Sequence, residues 1–230
     1  MPVHVVQRGN NRAACFERHT DYAMYLRLLA EARERHGSDI HAYVLMTNHV
    51  HLLLTGRDDD SVSRTMKRLG ESYVRYFNRA HSRTGTLWEG RFHSSVVDTQ
   101  TYLLRCYRYV ERNPVRAGMV TQPRDYTWSS HKANAYGDRD DLVKPHAVYT
   151  ALAAGEGERR QFYRNLFAIA ESPEELQEIR AAINGSFALG SPAFLLELER
   201  RLGRRVERMT EGRMRVSSAA PGPFQIMTVV

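Results

Sequence analysis

The succession of predicted strands and helices indicates an α+β protein built around an antiparallel sheet. Runs rich in strand-forming residues cover 4–8, 40–46, 49–55 and 92–97, and patterns with a helical apolar stripe cover 22–36, 62–80 and 102–113. The resulting order is strand, helix, strand, strand, helix, strand, helix. A ferredoxin-like core with helices packed on one side is the simplest fold that this order predicts.

Local signals define the ends of these elements. Asp21 is a suitable cap for the first helix. Residues 47–48 separate the second strand from the third, which predicts a tight turn between them. Three aspartates at 58–60 precede the second helix, where carboxylates favour its positive end. Pro114 stops the third helix.

The composition changes after residue 135, which divides the chain into three parts. Residues 1–135 carry the predicted sheet and its helices. Residues 136–203 contain short helical patterns at 158–170, 173–183 and 192–202, which predict a small C-terminal helical extension. Residues 204–230 mix arginine with serine, proline and glycine, so we expect a basic, flexible tail.

Basic residues outnumber acidic ones and are concentrated in one segment. The chain carries 33 Lys and Arg against 26 Asp and Glu, a formal net charge of +7. Residues 61–132 alone contain thirteen basic and five acidic residues. This clustering favours a phosphate-binding surface, so nucleic acid is the predicted class of partner.

Cysteine content and hydropathy predict a reduced, cytoplasmic protein with no membrane association. Cys15 and Cys106 are far apart in sequence, and no apolar run approaches the roughly 18 residues that span a bilayer. The first residues lack the apolar segment of a secretion signal. Together with the predicted nucleic-acid partner, this indicates a nucleoid-associated location.

His49 and His51 are the central functional candidates. Side chains alternate along a strand, so two histidines separated by one residue face the same side and can hold a metal. Taken alone, such a pair also fits a structural role or a zinc hydrolase. His4, His41, His93 and His131 are interpreted as ordinary surface or core residues, although His93 is near the loop that contains Trp88 and could approach DNA.

The predicted helix before Pro114 adds a second group of candidates. Tyr109 and Asn113 are one turn apart and share a face. If this face packs near the histidines, the asparagine oxygen completes a metal shell and the tyrosine is the nucleophile. Tyr107 is the internal competitor for that role, with Glu111 as its neighbour one turn on.

Four segments resemble the REP-associated tyrosine transposases, which belong to the single-tyrosine HUH nucleases. The segments are QRGNNR at 7–12, AYVLMTNHVH at 42–51, TGTLWEGR at 84–91 and YVERNPVRAG at 109–118, in the family's order. By this resemblance, His49 and His51 are metal ligands, Tyr109 is the nucleophile and Asn113 assists the metal site. Met1 lies almost directly before the first strand, where relatives carry a short segment, so the resemblance does not extend to DNA contacts made there.

The resemblance also implies an activity. It implies a divalent ion, Mg²⁺ or Mn²⁺, and single-stranded hairpin DNA from repetitive extragenic palindromes as the substrate. The implied enzyme is a site-specific single-strand endonuclease and strand transferase that nicks and rejoins DNA through a covalent 5′-phosphotyrosine. The identity of the palindrome does not follow from it.

Several polar residues are predicted to contact DNA. Four of them follow the first strand in a polar loop, and two arginines flank Tyr109 on its helix, where they can also stabilise the charge on a phenolate. The six residues are Arg8, Asn10, Asn11, Arg12, Arg105 and Arg112.

Two other function classes are compatible with the same fold. A domesticated repeat-binding protein would keep the fold without the chemistry, and a zinc hydrolase would use water in place of tyrosine. The same residues also fit an active site formed within one chain or between two, so the sequence leaves monomer or homodimer open.

Overall fold

The computed structural model describes residues 1–99 and 102–206, and most of the predicted tail lies outside these residues. Four strands form one antiparallel sheet in the order β2-β3-β1-β4. They are β1 (Pro2–Arg8), β2 (Ser38–Met46), β3 (His49–Gly56) and β4 (His93–Val96). The α+β class and the ferredoxin-like sheet are thereby confirmed.

Helices connect and cover these strands. The described residues contain α1 (His19–His36), α2 (Ser61–Ala80), α3 (Leu103–Glu111), α4 (Asn113–Arg116), α5 (His131–Tyr136), α6 (Ala147–Thr150), α7 (Glu156–Ala168), α8 (Pro173–Gly185) and α9 (Pro192–Leu202). Short 3₁₀ turns lie at Asn10–Arg12 and Pro123–Asp125. None of the helices in this described part is long and apolar enough to cross a membrane.

Two helix ends differ from the sequence expectation. Asp21 lies in the first turn of α1 and not at its cap, and its carboxylate accepts the N–H groups of Glu17 and Arg18, each at 2.9 Å. α3 ends at Glu111, and the chain continues as α4 with Pro114 in the first turn. Proline is tolerated there because backbone N–H groups in the first turn of a helix have no partner within the helix, so the missing N–H of proline costs no hydrogen bond.

α1 and α2 pack on one face of the sheet, as predicted. Val5, Val50, Leu52 and Leu54 alternate along β1 and β3 and face these helices. Tyr73 of α2 is fully buried in the same cluster.

The opposite face is also covered by helices. Ala42, Val44 and Leu53 share a buried cluster with Tyr107 of α3, and Tyr163 of α7 completes it. The prediction of helices on one side therefore describes α1 and α2 only. The physical reason is that β2 and β3 are almost continuously apolar and buried, which requires a layer on each face.

The C-terminal extension also pairs with the sheet. The N–H of Leu189 donates to the carbonyl of Val96, and the N–H of Asp98 donates to the carbonyl of Leu189, both at 2.8 Å. This pairing covers the outer side of β4 next to the extension. The extension and the sheet are thus joined by hydrogen bonds as well as by the shared apolar cluster.

Candidate active site

His49 and His51 lie at the start of β3 and face the α3 side of the sheet. Their ring centroids are 5.1 Å apart. In the sheet register, His49 lies opposite Arg8 and His51 lies opposite Val6. His51 is 4 % exposed, whereas His49 is half-buried. The more accessible side of the pair is therefore at His49, which lies beside Arg8 at one end of the sheet.

A hydrogen bond fixes one ring nitrogen of each histidine. Nδ1 of His49 donates to the side-chain carbonyl oxygen of Asn48 at 2.7 Å. Nδ1 of His51 lies 2.9 Å from Nε2 of His4, so it can donate to that nitrogen. Metal-bound histidines have this arrangement, in which one nitrogen is held by a neighbour and the other faces the ion.

His4 is a site residue that sequence reasoning missed. It is 1 % exposed and its ring stacks against His51, with centroids 5.1 Å apart. The alternation of β1 places His4 on the same face as Val6, which is the only sequence signal. The register that brings it beside His51 is a property of the folded sheet.

Burial keeps these imidazoles neutral at neutral pH. Desolvation lowers the pKa of His4 to about 3, and Arg116 adds to this effect. Desolvation lowers the pKa of His49 to about 4, with a further contribution from Arg8. The pKa of His51 is lowered well below its usual value by burial and by the neighbouring His4. Neutral imidazoles keep the lone pair that a metal requires, so the pair fits a divalent ion.

Tyr109 lies against the histidines. Its ring meets those of His4 and His51 edge-on, with both centroid distances 5.7 Å. The side chain extends from α3 and the residue is 5 % exposed. A phenol and two imidazoles therefore converge within one chain.

Asn113 begins α4, one turn after Tyr109. Its Nδ2 donates to the carbonyls of Tyr109 at 3.2 Å and Val110 at 3.4 Å. These bonds hold the amide group at the corner between α3 and α4. No group of three or more His, Cys, Asp or Glu side chains in residues 1–99 and 102–206 could hold a metal. An ion at the histidine pair would therefore take its other ligands from an amide oxygen, water or phosphate.

Arg116 is a second site residue that the sequence patterns did not indicate. Its guanidinium lies 4.3 Å from the centroid of the Tyr109 ring. It also pairs with Glu171 of the extension at 2.8 Å. A cation over the ring face is attracted to it and favours negative charge on the phenol oxygen.

A comparison with known families matches the part of the chain that carries these residues. A family model described as transposase IS200 like matches residues 1–113. Residues 1–113, here called the transposase domain, are similar to IS200-like transposases. It contains the sheet, both histidines and Tyr109, and it ends at Asn113.

Two solved structures are similar to this chain. One is a REP-associated tyrosine transposase bound to a REP hairpin, with 23 % identity and a TM-score of 0.48, covering 64 % of this chain and 88 % of that chain. The other is a candidate transposase from Deinococcus radiodurans R1, with 18 % identity and a TM-score of 0.38, covering 49 % of this chain and 89 % of that chain. Among curated proteins, no match is found.

The buried carboxylate of Glu111 fixes α3, the helix that carries Tyr109. Glu111 is fully buried and accepts hydrogen bonds from four side chains of α5, α7 and the segment before α5. The donors are Ser130 at 2.6 Å and His131, Asn134 and Tyr163 at 2.8 Å each. These bonds fix the face of α3 that carries Glu111 and thereby restrict the direction in which Tyr109 points.

Arg105 and Arg112 were predicted to contact DNA. Both have partners in the C-terminal extension, outside the transposase domain. Arg112 donates to the carbonyls of Phe167 at 3.0 Å and Ile169 at 3.2 Å. Arg105 lies 3.8 Å from a carboxylate oxygen of Glu175. The structure therefore places Arg116 on the Tyr109 ring and binds Arg112 to the end of α7.

The polar loop after β1 lies beside the histidine pair of the transposase domain. Gly9 donates its N–H to the carbonyl of Asn48 at 2.8 Å, and the Asn48 amide donates to the carbonyl of Arg12 at 3.0 Å. Asn11 and Arg12 have positive φ values of 52° and 58°, which turn the chain sharply at the rim. The loop of residues 8–12 therefore borders the site, as its predicted contact with DNA requires.

Tyr107, the competing tyrosine, lies in the core of the protein. It is fully buried, and its ring packs against those of Tyr149 and Tyr163. Its hydroxyl is buried together with the ring, and burial raises the pKa of this phenol. This placement separates it from the histidine pair and makes it a matched control for Tyr109.

Proposed function

We propose that the protein is a REP-associated tyrosine transposase that nicks and rejoins single-stranded DNA through Tyr109. The observation that carries the proposal is the packing of the Tyr109 ring on His51, which adjoins His49. The four sequence segments that resemble this family support hairpin-forming repetitive palindromes as the substrate. Both partners of the contact belong to the same chain, which favours an active site assembled in cis.

The chain's own residues suit attack by a phenol on a phosphodiester. A phenol of ordinary pKa, near 10, is mostly protonated at neutral pH, so its anion needs stabilisation. Arg116 lies over the Tyr109 ring and supplies positive charge there. The Tyr109 oxygen forms the new bond to phosphorus, the bond from phosphorus to the 3′ oxygen breaks, and that oxygen leaves as a 3′-hydroxyl after taking a proton. The phenol proton passes to solvent.

His49, His51 and Asn113 are the residues that would hold a divalent ion. When bound, such an ion polarises the scissile phosphate as a Lewis acid. Two imidazole nitrogens in the donor set favour Mn²⁺ over Mg²⁺, which prefers oxygen ligands. The contact between Nε2 of His4 and Nδ1 of His51 orients the His51 ring, so that Nε2 of His51 is directed away from His4.

The covalent intermediate accounts for rejoining without a nucleotide cofactor. The phosphotyrosine ester replaces the broken phosphodiester bond with another phosphorus–oxygen bond. A 3′-hydroxyl from another DNA end can therefore displace Tyr109 by the reverse reaction. One tyrosine then serves both steps. Arg8, Asn10, Asn11 and Arg12 border this site and are proposed to bind the DNA backbone.

The decisive test compares two tyrosines of the same helix. We expect Tyr109→Phe to abolish the covalent adduct between the protein and repeat-derived hairpin oligonucleotides in the presence of Mn²⁺, as seen by denaturing electrophoresis. Tyr107→Phe removes the hydroxyl of a core tyrosine whose ring packs on Tyr149 and Tyr163 and should leave adduct formation unchanged. Adduct formation by Tyr109→Phe would refute the assignment.

The same assay separates the alternatives. A repeat-binding protein without catalysis would retard the hairpin on a native gel and form no adduct with the wild-type chain. A zinc hydrolase would cleave the oligonucleotide equally well after Tyr109→Phe. Mapping the adduct to the peptide that contains Tyr109 would exclude both.

A further inference from the structure

A small basic cavity lies where the end of α3 meets α5 and α7. Its volume is about 230 Å³, which is below the range typical of drug-sized ligands and suits a small ion. Among the described residues that line it, none is an aspartate or a glutamate. Its basic lining residues are Arg112, Arg124, His131 and Arg164. This composition favours an anion as the ligand.

Arg164 supplies a positive charge that no carboxylate balances. Its guanidinium donates to the backbone carbonyl of Ala135 and to the side-chain oxygen of Gln161, both at 2.6 Å. Both acceptors are neutral, and Arg164 forms no ion pair with any residue that the structure describes. The side chain is half-buried and lies 5.4 Å from the centroid of the Tyr136 ring, which also lines the cavity. A partly buried guanidinium without a counterion favours an anionic ligand.

The other two arginines also retain the capacity to bind an anion. Nη2 of Arg112 forms no hydrogen bond with a described residue and, unlike Nε, is not enclosed. Glu171 lies 3.6 Å from Nε of Arg112 but pairs more closely with Arg116, at 2.8 Å, so two guanidinium groups share one carboxylate. Arg124 lies 3.9 Å from Asp125 on the surface, where ion pairs are weak.

His131 adds a hydrogen-bond acceptor to the same cavity. The residue is 3 % exposed and belongs to the lining. Its Nδ1 lies 2.8 Å from the carboxylate of Glu111, which also accepts hydrogen bonds from three other side chains. In the neutral imidazole this contact assigns the proton to Nδ1, so Nε2 keeps its lone pair. Nε2 has no hydrogen-bond partner in the described part of the chain.

We infer that this cavity binds inorganic phosphate in the form of hydrogenphosphate. Its unprotonated oxygens would accept N–H groups of the three arginines, and its P–OH group would donate to Nε2 of His131. Sulfate and the phosphodiesters of DNA carry no proton at neutral pH. A phosphomonoester, whose second pKa is about 6, has mostly lost its proton there. The bound ion would connect the end of α3, the helix that carries Tyr109, with α5 and α7.

Isothermal titration calorimetry of the full chain in a phosphate-free buffer tests the inference. The probes are sodium phosphate, sodium sulfate and adenosine monophosphate at neutral pH and equal ionic strength. We expect saturable binding of phosphate, and binding of the other two anions that is weaker by about tenfold, because neither donates a proton to Nε2.

Three variants test the residues of the cavity. Arg124→Gln and Arg164→Gln each remove a cation from the lining and should weaken phosphate binding by about tenfold. His131→Asn retains an amide donor for Glu111 and removes Nε2, so its affinity for phosphate should fall to that for sulfate. Arg124 is exposed, so its replacement tests the site without disturbing the core.

Arg139 provides a matched control. Like Arg124, it is an exposed arginine paired with a nearby aspartate, Asp141 at 3.0 Å, but it does not line the cavity. Arg139→Gln should therefore bind phosphate as the wild type does. The inference would be overturned by absence of saturable phosphate binding, by equal affinities for phosphate and sulfate, or by wild-type affinity in both Arg124→Gln and Arg164→Gln. It does not depend on the chemistry of Tyr109, which the adduct assay tests separately.

Discussion

Single hydrogen bonds orient the side chains that form the candidate site. His51 contacts Tyr109 on one side and His4 on another, so its ring has little freedom to turn. His49 is held by Asn48, the residue that precedes it. The ring nitrogens that are proposed to face the metal are therefore positioned by residues outside the proposed ligand set.

The role of His4 can be tested through metal affinity. Because Nε2 of His4 is placed to accept the Nδ1 proton of His51, we expect His4→Ala to weaken Mn²⁺ binding by about 10-fold to 100-fold, measured by calorimetric titration. His4→Asn retains an acceptor oxygen and should restore part of the affinity. His19→Ala changes an exposed histidine and should have no effect. Equal affinities for wild type and His4→Ala would refute the positioning role.

His41 predicts a loss of stability at acid pH. Burial lowers its pKa to about 4, and its nitrogens bond the carbonyl of Lys144 and the hydroxyl of Thr55. Below about pH 6.5 the unfolded chain binds a proton that the folded chain does not, so stability falls as the pH decreases from about 6.5 toward 4. This histidine should contribute a loss of about 1.4 kcal/mol per pH unit in that window.

Urea denaturation at about pH 7.5 and about pH 5.5 measures this contribution on either side of the ordinary histidine pKa. We expect the wild type to be less stable at the lower pH. In His41→Gln, the difference between the two free energies of unfolding should be smaller by about 1 kcal/mol. An unchanged difference would show that His41 does not carry the predicted pH dependence.

At the level of secondary-structure elements, α3 is fixed from two sides. Glu111 binds it to α5 and α7 through four hydrogen bonds. Arg116, just beyond α3, binds the extension through Glu171. The helix that carries Tyr109 is therefore positioned by residues that never approach the histidines.

The Arg116–Glu171 pair gives a test of this positioning. The Glu171 side chain is 5 % exposed, so Glu171→Ala leaves a largely buried guanidinium without its carboxylate partner. We expect a loss of about 3 kcal/mol in unfolding free energy and slower adduct formation, measured by urea denaturation and by timed denaturing gels. Glu158→Ala removes an exposed carboxylate and should change neither. Wild-type adduct rates in Glu171→Ala would refute the coupling.

At the level of the whole molecule, the extension completes the second layer over the sheet and neutralises basic residues near α3. Arg108 pairs with Glu175 at 2.6 Å and Arg112 lies 3.6 Å from Glu171. The excess of basic residues in the sequence therefore overstates the charge available to DNA near this helix. The loop after β1, in contrast, presents Arg12 to solvent.

The salt dependence of DNA binding tests this distribution of charge. For single-stranded DNA, each neutralised phosphate adds about 0.7 to the slope of log affinity against log salt. We expect Arg12→Ala to reduce the magnitude of that slope by about 0.7, measured by anisotropy titrations between low and moderate salt. Arg27 pairs with Glu31 on the surface of α1, and Arg27→Ala should leave the slope unchanged. An unchanged slope in Arg12→Ala would exclude its contact with phosphate.

Sequence patterns alone determined the strand and helix order, the shared face of His49 and His51, and the candidacy of Tyr109. These features follow from alternation along strands and from the helical period, which are local properties of the chain. Sequence similarity in four segments indicated the chemistry. Three helices of the extension, α7, α8 and α9, were also predicted to within two residues of their observed ends, whereas the short α6 was not predicted.

The tertiary structure decided the rest because it depends on which distant residues meet. Sheet register brought His4 to His51, and packing of the second helical layer bound Arg112 to the extension and left Arg116 on the Tyr109 ring. Periodicity assigns a side chain to a face, but only packing determines its neighbour.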